Sequence, residues 1–374
     1  MPSDRSPEIG STVSIQKHIF NALLDKLKTQ GYEIVGPHVE NETLVYAPIQ
    51  KLEDLPRGYV TEQEAGSFRL VYTGHTRYFD IIPGAQSWKQ FLFPSHADLF
   101  TLRKGSGGWE METPRPTAPA YAFIGVRGCE LAAIQIQDNA FLRSDFTDPI
   151  YRAAREKAFI LAVNCMRPAG TCFCASMGTG PRVEGDADLT LTELEDVFLL
   201  NVGSELGRNI LSGLPYESAS AFVLNAANRG LERATLQMGR SVDTSDLPDL
   251  ILNNLDHPHW RAIGERCLSC ANCTQVCPTC FCWDAVDTLS LDGNQTRRER
   301  VWDSCFNPGY SYQAGGNTRP TIHSRYRQWM SHKLGTWKVQ YGTFGCTGCG
   351  RCITWCPAAI DITVEVADLR KEIR

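Results

Sequence analysis

The segment FGCTGCGRCITWCP, residues 344–357, carries four cysteines and ends in proline, and CLSCANCTQVCP, residues 267–278, repeats the same CxxCxxCxxxCP pattern. Thiolates at i, i+3 and i+6 can surround one corner of a cube-shaped cluster on short turns of backbone. The fourth lies too far along to join them. In two-cluster ferredoxins it ligates the other cluster, and the proline after it ends the local turn. The spacing therefore assigns Cys267, Cys270, Cys273 and Cys356 to one [4Fe-4S] cluster, and Cys346, Cys349, Cys352 and Cys277 to a second. This crossing ties the motifs together over the 68 residues between Cys277 and Cys346. Zinc is the alternative for such thiols, but it favours two separated CxxC pairs over a quartet ending in CP.

A chain of 374 residues exceeds what one hydrophobic core usually serves, so two domains are expected. A formal net charge of -5 gives no electrostatic reason to expect a nucleic-acid partner. The polar start MPSDRSPEIGSTVS has no signal-peptide core, and the longest apolar runs, such as AFILAV, are too short to cross a bilayer. A cytoplasmic location is expected. There disulfides are rare, so fifteen cysteines point to metal ligation or redox chemistry.

Along the chain, STVSIQKHIFNALLDKLKTQG has the apolar spacing of an amphipathic helix, with Ile15, Ile19, Leu23, Leu24 and Leu27 on one face. Strand-like runs follow in YEIVG, ETLVYAPI, SFRLVYT and YFDII. From residue 121 the order is strand, helix, helix, strand: YAFIGVRG, CELAAIQIQDNAFL, DPIYRAAREK and AFILAVNC. Such a crossover makes the strands parallel and puts Cys129 and Cys165 just past neighbouring carboxyl ends. The polar stretch GRSVDTSDLP, residues 239–248, marks a boundary. The expected fold is α+β: a mixed α/β domain over 1–240, followed by a largely helical, dicluster ferredoxin-like domain over 249–374 with a long insertion between its motifs.

Seven cysteines remain. Cys129, Cys165, Cys172 and Cys174 converge on one loop edge, which leaves two readings open: a third [4Fe-4S] cluster, or buried thiols acting as small apolar side chains. Cys280, Cys282 and Cys305 form an incomplete tetrad that His323 or His332 could complete, although packing beside the neighbouring cluster is the simpler role. No GxGxxG follows a strand, no GxxxxGK[ST] or HExxH occurs, and no catalytic residue is assigned. The basic stretches TRRER and RPTIHSRYR suit a solvated helix face better than an acidic partner.

From about Leu55 onward the chain resembles the beta subunit of soluble [NiFe] hydrogenases of the sulfhydrogenase type, and a related iron-sulfur component of anaerobic sulfite reductases. The resemblance rests on SWKQFLFP, GVRGCELAAI, AFILAVNC, GTCFCASMGTGP, CPTCFCWD, WDSC, AGGNTRP and FGCTGCGRCITWCP. Gly128 departs from it, because proline is expected beside Cys129. The resemblance implies an electron relay that works between the catalytic subunit of a hydrogenase or sulfite reductase and a flavin subunit that reacts with NAD(P). The alternative is a stand-alone reductase with a reactive cluster in the first domain.

Overall fold

The run Phe159–Val163, FILAV, is buried at every position, as a parallel strand covered on both faces requires. In the computed structural model, which describes residues 6–143 and 145–373, it lies inside an eight-stranded sheet. The strand order is Glu217–Ser218, Thr12–Gln16, Val197–Val202, Leu189–Glu193, Phe159–Val163, Tyr121–Arg127, Glu33–Glu40 and Thr43–Pro48. Side chains alternate between the two faces. Phe159, Leu161 and Val163 pack with Phe20, Leu23 and Leu27 on one face. Ile160 and Ala162 meet Leu131, Ile134 and Tyr151 on the other.

Tyr121–Arg127 and Phe159–Val163 are parallel, and Arg127 lies opposite Val163 at their carboxyl ends. Helix Gly128–Phe141 starts directly from the first of these ends. Asp148 caps the next helix, Pro149–Arg155, by accepting from the amides of Ile150 and Tyr151 at 2.9 and 2.8 Å. The crossover is therefore as the sequence pattern predicts.

Two early elements differ from expectation. The helix begins only at Phe20, because Thr12–Gln16 is a strand paired antiparallel to Val197–Val202. Ile15 thus reaches the same core from a strand. The YFDII run is irregular, because Glu193 takes over the pairing of its backbone: the amides of Tyr78 and Phe79 donate to this carboxylate at 3.0 and 2.8 Å.

Beyond residue 248 the helices Leu247–Leu252, His259–Arg266, Ile322–Ser331 and Ile362–Ile373 enclose a core containing Trp260, Ile263, Trp329 and Leu369. The spacer between the motifs also carries a hairpin, Trp283–Leu289 with Gln295–Trp302. Its second strand pairs with His96–Gly105, so one sheet draws strands from both sides of residues 239–248. The TRRER run lies on this strand rather than on a helix, and its arginines are engaged: Arg298 with Asp287 at 2.6 Å, Arg297 with Asp98, and Arg300 with Asp148. Among the described residues no helix is long and apolar enough to cross a membrane.

Candidate metal centres

Both four-cysteine motifs adopt one backbone shape. The second and fourth residues after the first cysteine are left-handed in each: Ser269 and Ala271 at φ 51° and 66°, Gly348 and Gly350 at φ 64° and 75°. Left-handed backbone is costly for residues with a Cβ, on the order of 1–2 kcal/mol each, and such outliers concentrate at functional sites. The bend turns an amide toward a sulfur in both motifs. Ser269 N donates to Cys267 Sγ at 3.4 Å, and Gly348 N to Cys346 Sγ at 3.5 Å.

The motifs are crossed in space. Cys267, Cys270, Cys273 and Cys356 line one cavity, with Tyr326 and Ile360 among its apolar walls. Asn272 Nδ2 donates to Trp355 O at 3.0 Å and holds the two stretches together. Burial first, and then the sulfurs of Cys267, Cys356 and Cys270, push the Cys273 thiol well up. Crowded thiols of this kind deprotonate readily only when a cation lies among them. Cys270 is exposed, whereas the other fourteen cysteines are half-buried or buried.

Cys277 meets the second motif in the same crossed manner. Thr279 Oγ1 donates to Gly345 O at 2.8 Å. After burial, the Cys352 thiol is pushed up by Cys346, Cys349 and Cys277. Lys333, only 5% exposed, donates from Nζ to Cys277 Sγ at 3.1 Å. Burial opposes its charge, but the sulfurs of Cys277, Cys280 and Cys346 outweigh burial and keep the ammonium protonated.

The third set also assembles. Cys129, Cys165, Cys172 and Cys174 line one cavity, with Cys349 of the second motif in the same wall. Burial, and then Cys165, push the Cys172 thiol up to about 12. The loop is welded to the second motif: Phe173 N donates to Gly348 O at 2.9 Å, and Thr179 Oγ1 to Thr347 O at 2.6 Å. A Cβ on Gly128 would lie 2.8 Å from Arg182 O. The chain has no room there for a larger residue, which explains glycine where proline was expected.

Sequence reasoning missed the charges that support these thiols. Glu130, 1% exposed, accepts from Arg351 at 2.6 Å, Tyr46 at 2.8 Å, Trp88 at 3.2 Å and the Arg127 amide at 3.2 Å. A buried charge is tolerable only when paired and hydrogen-bonded in this way. The available signal was position, since Glu130 follows Cys129 directly and Arg351 precedes Cys352.

Cys280, Cys282 and Cys305 line a further cavity with Tyr310, His332 and Lys333. The Cys305 thiol donates to Cys282 and holds it low, at about 6. Burial lowers His332 to about 4, so its ring is uncharged. His323 is not in this wall; it lies beside Thr321, 3.1 Å from its hydroxyl. Among the described residues, no group of three or more His, Cys, Asp or Glu side chains could hold a single metal ion. The thiols ring cavities instead, which suits clusters of several irons and not zinc.

The 4Fe-4S dicluster domain family matches residues 266–360. The whole chain is similar to sulfhydrogenase 2 subunit beta of Pyrococcus furiosus, at 30% identity over 363 residues, which cover 96% of this chain and 98% of that protein. No solved structure matches. With crossed thiol sites inside a dicluster domain and likeness along nearly its full length, the chain belongs to the sulfhydrogenase beta-subunit family and is an iron-sulfur electron-transfer protein.

Proposed function

We propose that the chain relays electrons between the catalytic subunit of a [NiFe] hydrogenase and a flavin- and NAD(P)-binding subunit, using three [4Fe-4S] clusters. The first is held by Cys267, Cys270, Cys273 and Cys356, the second by Cys346, Cys349, Cys352 and Cys277, and the third by Cys129, Cys165, Cys172 and Cys174. The observation that carries this reading is Cys356 in one cavity wall with Cys267, Cys270 and Cys273, the crossing that a two-cluster ligand set requires. Bound clusters supply one-electron transfer.

The protein's own contribution is placement and environment. Amides of Ser269 and Gly348 donate to ligand sulfurs, which favours the thiolate form and raises potential. Tyr326, Trp329 and Ile353 are buried around the sites and exclude water. Exposure of Cys270 makes the first site the port toward a partner protein, and the contact of Cys349 with the first-domain cavity sets the second and third sites side by side. We retain residues 1–240 and 249–374 as the two units of the relay, joined at that contact. Fifteen cysteines outside disulfides suit a reducing cytoplasm.

The test is anaerobic purification of the chain alone and within its native complex. The isolated chain should show reversible reduction by EPR but no turnover of sulfite or polysulfide with a low-potential dye. The complex should contain nickel and flavin. Turnover by the isolated chain contradicts the relay reading.

A further inference from the structure

We propose that Cys280, Cys282 and Cys305 bind an additional [4Fe-4S] cluster, with His332 as the side chain facing its fourth iron. The three thiols and His332 line one cavity of about 200 Å³, where a single water needs only roughly 10–15 Å³. Cys280 and Cys282 come from the CPTCFCW loop, Cys305 from the turn after Gln295–Trp302, and His332 from the π-helical turn His332–Thr336. Turns of this kind are rare and recur at functional sites. Three separate elements thus bring thiol and imidazole donors to one space.

Two independent features mark the space as built for an anionic, hydrogen-bond-accepting group. The first is positive charge. Lys333 and Lys89 are 5% and 4% exposed, and both ammonium groups interact with the sulfurs of Cys277 and Cys280. Lys89 has only a carbonyl, Gln275 O at 3.3 Å, and the ring of Trp302 as further partners. Two buried cations require more negative charge than neutral thiols supply. A thiolate-ligated cluster carries it.

The second is a pair of orphaned donors. Trp329 and Trp337, each 3% exposed, both line the cavity, and neither indole N–H has a hydrogen-bond partner. Buried donors are almost always satisfied. Inorganic and thiolate sulfurs accept such bonds, and bonds of this kind tune cluster potential. The cavity lies directly behind Cys277, whose sulfur is bonded to Lys333 at 3.1 Å. The additional cluster is therefore a neighbour of the second motif's site.

The test compares iron and acid-labile sulfide in the full-length, anaerobically reconstituted chain with those in Cys282→Ser/Cys305→Ser. Loss of about four irons and four sulfides per chain, with the other EPR signals retained, is the expected result. Unchanged iron overturns the proposal. Should the double variant fail to fold, iron-edge anomalous diffraction from crystals of the unsubstituted chain decides. A peak inside the ring of these three sulfurs supports the site. An empty ring in crystals whose CxxCxxCxxxCP sites contain iron overturns it and leaves the relay reading intact. Nitrogen hyperfine coupling on one cluster, absent in His332→Ala, is expected for the imidazole; its absence from the unsubstituted chain contradicts the role given to His332.

Discussion

At the scale of single residues, the thiols are supported by buried charges whose pairing leaves little slack. Arg351 and Glu130 are 3% and 1% exposed and 2.6 Å apart, and the pair joins the helix after Cys129 to the second motif. Removing one member of a buried pair strands the other's charge, at a cost of about 3–5 kcal/mol. Glu130→Ala should lower unfolding free energy by that amount in anaerobic urea titrations; a loss under 1 kcal/mol would show that Arg351 finds another partner. Lys333 acts electrostatically. Its ammonium favours the more negative, reduced form of a cluster at Cys277, so Lys333→Met should lower that potential. An interaction of ~2 kcal/mol near a protein interior corresponds to roughly 80 mV for a one-electron couple. Redox titration followed by EPR measures this, and a rise in potential would contradict the assignment. The cysteines were legible in the sequence because ligand spacing is a local property. Glu130, Arg351 and Lys333 were not, because their burial depends on contacts more than fifty residues away in the chain, such as Lys333 with Cys277.

At the scale of elements, the two motifs share a shape but differ in what touches it. A Cβ on Gly348 would lie 2.6 Å from the Phe173 carbonyl, and one on Gly350 would lie 2.4 Å from Thr171 O. Glycine is thus required twice over in the second motif, by left-handed backbone and by close packing. The first motif has Ser269 and Ala271 at the matching positions, since no loop presses on it there. Ala271→Gly should therefore stabilise the chain by up to ~1 kcal/mol. Gly348→Ala should destabilise it by more than that and cost iron at the Cys172–Cys174 loop. Calorimetry and iron analysis of the two variants check both signs, and equal effects would contradict the docking argument. The parallel crossover and the helices were legible because their periodicity is uninterrupted. The strand Thr12–Gln16 was not, since Ile15 continues the helical spacing of the segment that follows it and only pairing with Val197–Val202 makes it a strand. The spacer hairpin was hidden for the same reason: its register is fixed by His96–Gly105, far away in the sequence.

At the scale of the molecule, the polar stretch at 239–248 divides the sequence, but the fold is stitched across it by a shared sheet, by the 171–174 loop and by the Glu130–Arg351 pair. The central claim is that each motif completes the other's site. Alkylation mapping under anaerobic conditions tests it most directly. Iodoacetamide is added to iron-loaded Cys356→Ala and Cys277→Ala, and labelled peptides are identified by mass spectrometry. In Cys356→Ala, Cys267, Cys270 and Cys273 should become reactive while Cys346, Cys349 and Cys352 stay protected. Cys277→Ala should give the reverse. Labelling of Cys346, Cys349 and Cys352 in Cys356→Ala, with the first motif still protected, would contradict the crossed architecture.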